Sequence, residues 1–431
     1  VTDRRLGSGL KRSGEWLILF TLIAYLLIGV WETPLHGDEP TLLYMSLDAD
    51  LFFRRFDLAN LVYTDPITQS DPQAATKQDL RILNGVLNKY AYGLTWITAG
   101  MTPAQINDQW LWGADLAFNR ANNHVPSDGL LFLGRWVSSL MTAVTICGVY
   151  AVGKRIGGVR AAILAAILFT LSPSVLLNGR RAMMESGFLL GTVLLLWVAV
   201  NYRGRWRWGL AFGFAAGLAV LGKHTGVISI LAVGGSLALW RGLLPLQQPL
   251  HQRAQLAIGA ILAGIVAIVI FVAGNPAWWG APLQMPKRVL DARTALLTSQ
   301  STFFGSYPDL ASRIEGLLRE TLIATPQYFE AQEGWSTWLK ESIMAYEGGG
   351  VAGVGGQWGF ISISVIIGSI QAIRGSWRTR LVLTSGFLTL IAIFVTTPLY
   401  WQRYYLVILP YTALVAGLAV SRLPKKNATA P

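Results

Sequence analysis

Charged side chains are scarce in this chain: Asp, Glu, Lys and Arg together make up 13% of its 431 residues, while 53% are hydrophobic. A soluble domain of that size carries about 25% charged residues, so the solvent for most of this surface is lipid. Apolar stretches long enough to cross a hydrocarbon core of roughly 30 Å recur from one end to the other. They leave no room for a separate soluble domain of ordinary size, and residues 1–431 are expected to form a single membrane domain. Cysteine is nearly absent too. The single Cys147 lies inside an apolar stretch, which excludes an intrachain disulfide and any cysteine-based metal site. A cleavage pattern is missing as well. Arg4, Arg5, Lys11 and Arg12 precede an apolar run that continues to Val30 without small residues at a processing site, so the run reads as a retained first helix.

The net charge of +12 could point to nucleic acid, but the basic residues sit in short clusters between apolar spans and form no continuous face. Membrane topology accounts for them, and no nucleic-acid partner is expected. Apolar runs bounded by charge, Gly or Pro predict ten spans, near 15–32, 131–152, 159–177, 182–200, 208–222, 225–240, 255–274, 357–373, 380–397 and 404–421. Lys223 and His224 split what would otherwise be one long helix over 208–240 into two spans joined by a tight turn. The fold class is therefore an all-α polytopic membrane protein.

With ten spans, alternate connections are the N-terminus, Lys154–Arg160, Arg203–Arg207, Arg241–Arg253, Arg374–Arg380 and the tail with Arg422, Lys425 and Lys426, and every one is basic. The positive-inside rule then places both termini in the cytoplasm, which leaves the Asn427 sequon without a role, and turns two long segments, 33–130 and 275–356, outward. In the first, stretches 40–56 and 82–100 carry apolar residues at helical spacing among many aromatics and read as helices lying in the interface. The second offers an amphipathic stretch from Leu310 to Leu322 and a glycine-rich run from Gly348 to Gly356, read as a flexible lead into the eighth span. No internal repeat is visible.

Five outward positions carry polar residues that the charge rule does not explain. His36, Asp38 and Glu39 follow the first span; Arg180, Arg181 and Glu185 open the fourth; Lys223 and His224 join the fifth to the sixth; Asn275 ends the seventh; Tyr400 to Arg403 precede the tenth. Adjacent carboxylates at a lipid boundary are costly to desolvate and want a cation, a metal or a substrate. Plainer readings stand beside this one: an exposed helix cap for Asp38 or Glu39, an i,i+4 ion pair between Arg181 and Glu185, a snorkelling Lys223. As a set, the residues point to a polar cavity at one membrane face. A metal site from His36, Asp38, Glu39 and His224 has only weak grounds, and Asp48-Ala49-Asp50 spells a DxD without the strand that nucleotide-sugar enzymes place before it.

The Asp38-Glu39 pair, the Arg180 to Glu185 turn, the Lys223-His224-Thr225-Gly226 turn and YWQRYYLVILP over Tyr400 to Pro410 together resemble the GT-C membrane glycosyltransferases, and within them the protein O-mannosyltransferase and lipid A aminoarabinose transferase group. The resemblance runs from about 15 to 421. It implies transfer of a sugar from a polyprenyl-phosphate donor to a lipid, glycan or protein acceptor outside the cytoplasm, usually with inversion, in a bacterial inner membrane. No cofactor is required, though a divalent metal serves some members. Asp38 matches the catalytic aspartate, with Glu39 orienting the acceptor or bracing Arg180 or Arg181. Lys89 stands where relatives keep a phosphate-contacting lysine, and Arg403 and Tyr404 complete the expected donor-phosphate set. The rival is a transporter or flippase of lipid-linked saccharides, whose polar groups should sit near mid-membrane and serve both faces.

Overall fold

The computed structural model describes residues 2–64, 72–243, 249–330 and 334–421, with side chains from 13 and from 77 onward in the first two segments. Ser70 and the basic tail residues Arg422, Lys425 and Lys426 lie outside the described residues. The chain opens with α1 (Thr2–Ile28), then runs through α2 (Asp38–Met45), α3 (Leu47–Ala49), α4 (Pro72–Leu83), α5 (Leu87–Thr98) and α6 (Leu116–Ala121). Next come α7 (Asp128–Thr170), α8 (Pro173–Arg180), α9 (Glu185–Val200), α10 (Arg207–Gly222), α11 (Gly226–Ala238) and α12 (Leu250–Gly274). A second connecting region holds α13 (Met285–Phe304), α14 (Leu310–Leu318), α15 (Trp335–Trp338) and α16 (Lys340–Gly348), before α17 (Trp358–Arg374), α18 (Trp377–Thr396) and α19 (Leu409–Leu418). Among the described residues there is no strand.

Each apolar stretch of the sequence appears as a helix. The second and third fall within α7, which is broken at Gly158, where φ is 80°. A β-carbon on Gly153 would lie 2.8 Å from the Cα of Ala162, whereas nine residues along a straight helix span about 13.5 Å. The chain therefore doubles back at Gly158, a position only glycine takes readily. By length and apolarity alone, four helices among the described residues qualify as spans, or five if α8 and α9, bent by 116°, count as one. Ser13–Ile28, Arg207–Gly222 and Trp358–Arg374 are apolar but shorter. The protein is an integral membrane protein, and the number ten stays an expectation of the sequence. Small residues set the packing: Gly209 of α10 lies directly over Gly259 of α12, which lets the two backbones approach closely.

The connecting regions gather at one end of the bundle. Interfacial helices expected over 40–56 and 82–100 are α2 to α3 and α5, and the amphipathic stretch from Leu310 is α14. The glycine-rich run is not the loose lead read from its composition. Tyr25 Oη donates to Gly350 O at 3.0 Å and accepts from Gly353 N at 3.1 Å, Val354 N donates to Leu171 O at 2.9 Å, and Val351 O accepts from Arg180 at 2.6 Å. Its glycines supply the positive φ at 350, 353 and 356 that this pinned path needs.

Candidate active site

Two adjacent carboxylates open α2, where the helix dipole favours negative charge. They divide into different environments. Glu39 is wholly buried and saturated: Arg135 donates to both its oxygens at 2.8 and 2.9 Å, and the backbone N–H groups of Ala182 and His36 add bonds of 2.9 and 3.0 Å. Burial works to raise its pKa, yet the guanidinium of Arg135 and these hydrogen bonds hold it below the usual carboxylate range. Asp38 is not consumed as a cap, since its own N–H donates to His36 Nδ1 at 3.1 Å and its side chain keeps 20% exposure. Its carboxylate turns to Arg403.

Arg403 is the hinge of the site. Besides contacting Asp38 it lies 2.8 Å from Glu330, whose other oxygen is 3.7 Å from His36 Nε2. Burial holds the His36 imidazole neutral, with the nearby Arg181 and Arg403 acting in the same direction, and burial pushes the Glu330 carboxyl well above its usual value. The backbone around Arg403 is stapled to the segment that delivers Glu330: Gln327 N donates to Gln402 Oε1 at 3.1 Å and Gln402 N to Gln327 Oε1 at 2.7 Å. Glu330 carried no sequence signal, being an isolated carboxylate in a long connecting region.

Other expected partners are rearranged. Arg180 donates to Leu26 O and Tyr25 O at the C-terminal end of α1, to Tyr346 Oη and to Val351 O, at 2.6 to 2.9 Å. Such carbonyls lack intrahelical partners, so Arg180 caps α1 and does not brace Glu39. Arg181 donates to Pro34 O and Tyr328 O, and the i,i+4 pair with Glu185 does not form. Glu185 instead accepts from Lys223 at 2.9 Å across the bundle. Arg135, not Arg180 or Arg181, is the direct brace of Glu39. The sequence signal for it existed, because an arginine inside an apolar span is a functional or pairing residue by default.

Lys89 also departs from expectation. It is 2% exposed and donates to Asp48 at 2.8 Å, while Arg81 grips the same carboxylate at 2.6 to 3.2 Å. The structure thus places Lys89 in a buried ion-pair cluster and does not bring it together with Arg403. The DxD aspartates are both absorbed by such pairs, Asp50 by Arg54 and Arg55.

The cations that do converge are Lys223, Arg293 and Arg403. All three line a cavity of about 640 Å³ whose walls are otherwise mostly apolar, with Val227, Ile268 and Phe271 among them. Tyr404 stands between, its ring 5.1 Å from Lys223 Nζ and 5.5 Å from the Arg293 and Arg403 guanidiniums. His224 lines the same cavity, and burial lowers its pKa to about 4, so it is neutral at ordinary pH. Among the described residues no group of three or more His, Cys, Asp or Glu side chains could hold a metal ion, and His36 and His224 belong to none.

The same arrangement of helices occurs in ArnT from Cupriavidus metallidurans bound to undecaprenyl phosphate, with a TM-score of 0.53 at 14% identity, covering 95% of this chain and 60% of that one. It occurs again in the Archaeoglobus fulgidus oligosaccharyltransferase tethered to an acceptor peptide, with a TM-score of 0.55 at 13% identity over 96% of this chain and 50% of that one. The chain has the GT-C membrane glycosyltransferase fold. A third GT-C structure, the archaeal oligosaccharyltransferase AglB with an inhibitory peptide and a dolichol-phosphate, matches with a TM-score of 0.51 at 13% identity, over 94% of this chain and 50% of that one. This chain therefore spans half to three-fifths of the length of those proteins. Residues 101–279 match the dolichyl-phosphate-mannose-protein mannosyltransferase family. A search of curated proteins finds no match. The matched stretch holds Arg135, Arg180, Arg181, Glu185, Lys223 and His224, while Asp38, Lys89 and Arg403 lie outside it.

Proposed function

We propose that this protein is a glycosyltransferase that takes a sugar from a polyprenyl-phosphate donor and passes it to an acceptor on the non-cytoplasmic face of the membrane. One observation carries the reading: an apolar cavity with three cations at one end, one of which, Arg403, touches the available carboxylate of Asp38. Such a place suits a ligand with a lipid tail, an anionic head and a reacting carbon beside a base. The structures of ArnT with undecaprenyl phosphate and of AglB with dolichol-phosphate support it.

The step is a single displacement. Asp38 accepts the proton of the acceptor hydroxyl, the hydroxyl oxygen bonds to the anomeric carbon, and the bond from that carbon to the phosphate oxygen breaks with its electron pair left on the phosphate. The phosphate passes from one negative charge to two, so Arg403, Lys223 and Arg293 bind it more strongly as the bond breaks. Phosphate leaves well by itself, which makes the second carboxyl of a glycosidase unnecessary. Glu39 then acts by fixing the start of α2, and this account assigns positive charge to side chains without calling on a metal. The polar set at one end of the bundle is what separates this reading from a transporter.

The phosphate assignment gives an expected result. Arg403→Ala and Arg293→Ala should each raise the donor concentration needed for half-maximal turnover by about tenfold or more, the scale of a hydrogen bond to a charged group. Lys287→Ala, at an exposed pair with Asp291, should change nothing. Lys89→Ala should lower the thermal midpoint through the Asp48 cluster and leave the donor requirement alone. Donor titrations in which Lys89→Ala behaved like Arg293→Ala would return the phosphate to Lys89.

Sidedness rests on charge. The connections 154–160, 203–207, 241–253 and 374–380 are all basic, which supports cytoplasmic termini and an outward site in an inner membrane. A phosphatase reporter fused after Pro431 should be silent and one inserted near Ser70 active. An active C-terminal fusion would reverse the orientation and refute an outward acceptor.

A further inference from the structure

Four tryptophans from the two long connecting regions meet beside the start of α2. Trp110 and Trp112 precede α6, while Trp335 and Trp338 belong to α15. Neighbouring ring centroids lie 5.5 to 6.3 Å apart, and the His36 imidazole is 6.3 Å from Trp112 and 6.5 Å from Trp335. Gly37 shows how closely this shelf is built against Asp38. A β-carbon there would lie 2.6 Å from Trp112 Cη2 and 3.1 Å from Trp110 Nε1. Its φ of −61° suits any residue, so glycine is needed there for space. The two indole edges rest on the backbone of the residue before Asp38, whose Cα is about 3.8 Å further on.

The rings are also held. Asn119, wholly buried, accepts from Leu111 N at 3.0 Å and donates to Leu111 O at 3.1 Å, which fixes the backbone between the two indoles. Trp110 and Trp335 are 2% and 7% exposed, whereas Trp112 is 49% exposed. The shelf is thus one half-open indole packed against buried ones. Packing for stability alone would turn the polar edge of a tryptophan to water or to a carbonyl. The buried N–H of Trp110, at Gly37, has no partner among the described residues. A stranded donor of that kind calls for a reason beyond folding.

Resting on the transfer reading above, we propose that Trp112 is the acceptor platform and that the acceptor is a saccharide, one pyranose ring of which lies on the open indole with a hydroxyl at Asp38. A pyranose presents C–H bonds on its face and hydroxyls around its edge, and those polarised C–H bonds are drawn to the negative face of an indole. The ring is rigid, so stacking it one residue from Asp38 also fixes where its hydroxyl sits. A peptide acceptor would want a free backbone edge to pair with, and Leu111 offers none, since Asn119 takes both its N–H and its C=O. The saccharide hydroxyl is then the nucleophile: its oxygen bonds to the anomeric carbon, its proton passes to Asp38, and the phosphate leaves with the electron pair.

Saturation-transfer NMR on the full-length protein in nanodiscs tests this. The probes are methyl α-D-mannopyranoside, methyl β-D-glucopyranoside and a capped Ala-Thr-Ala peptide; undecaprenyl phosphate is added separately and read by the thermal midpoint. At least one glycoside should receive saturation at its ring C–H protons. Trp112→Ala should weaken that binding roughly tenfold, the scale of covering about 60 Å² of apolar face. Trp112→Tyr should retain most of it, and Trp31→Ala, at an exposed indole stacked on Phe132, should change nothing. Every variant should keep its stabilisation by undecaprenyl phosphate. Failure of both glycosides to bind, with or without binding of the peptide, or glycoside binding that Trp112→Ala leaves unchanged, overturns the platform; stabilisation by undecaprenyl phosphate then leaves the donor reading standing. Glycoside binding that depends on Trp112 in a protein that undecaprenyl phosphate does not stabilise overturns the donor reading, and the acceptor role of the shelf with it.

Discussion

Asp38→Asn should lower sugar transfer by about 10²-fold or more at saturating donor, the range in which removal of a general base falls, while the protein keeps its thermal midpoint and its donor requirement. The substitution preserves shape and removes the carboxylate that contacts Arg403, a cation of the cavity wall, and that takes the acceptor proton in the proposed step. Donor binding should survive because Arg403 keeps Glu330 at 2.8 Å, and Lys223 and Arg293 do not depend on Asp38. The side chain is 20% exposed, so the amide leaves no deeply buried orphan and little stability is at stake. Product formation by purified protein in nanodiscs, with donor varied, separates the roles. Turnover near that of the unaltered protein would remove Asp38 as base. A raised donor requirement with unchanged maximal turnover would instead make Asp38 an organiser of Arg403.

What the sequence made legible follows from which forces are local. Apolar windows are local, so helices appeared where the hydropathy put them, and the turn at Lys223 and His224 was readable from two polar residues inside one long apolar run. The hairpin at Gly158 follows from the basic cluster Lys154 to Arg160. Pairing is not local. Nothing near Glu39 in sequence announces that Arg135, 96 residues on, grips it, or that Asp48 captures both Arg81 and Lys89. The expected role of Lys89 came from its position in a resemblance, and the structure spends that ammonium on a carboxylate that sequence reading had set aside. Arg293 shows the converse: one of several basic residues on an ordinary amphipathic helix, it gains meaning only because α13 lays it against Tyr404 and the cavity.

The buried pair beneath the site carries the second large effect. Arg135→Met should lower stability by roughly 3–5 kcal/mol, because it leaves the charge of Glu39 in the protein interior without its cation. Glu39→Gln should cost a similar amount by stranding Arg135, which is 4% exposed. This replaces the milder effect that an orienting role for Glu39 implies. The double variant should recover much of the loss, since an apolar or neutral pair in place of a buried ion pair is often tolerated. Thermal midpoints from tryptophan fluorescence in detergent measure the cycle, and simple addition of the two losses would show that the pair is not coupled. Activity should not recover with stability. Glu39 also accepts the N–H groups of Ala182 and His36, one on each carboxylate oxygen, and an amide offers a single oxygen for the two. The first turn of α2, and Asp38 on it, would then be held less firmly against Arg403, and reacting groups misplaced by about an ångström can lose 10²-fold in rate. Stability restored together with full turnover would confine Glu39 to folding and leave the placement of Asp38 to His36 alone.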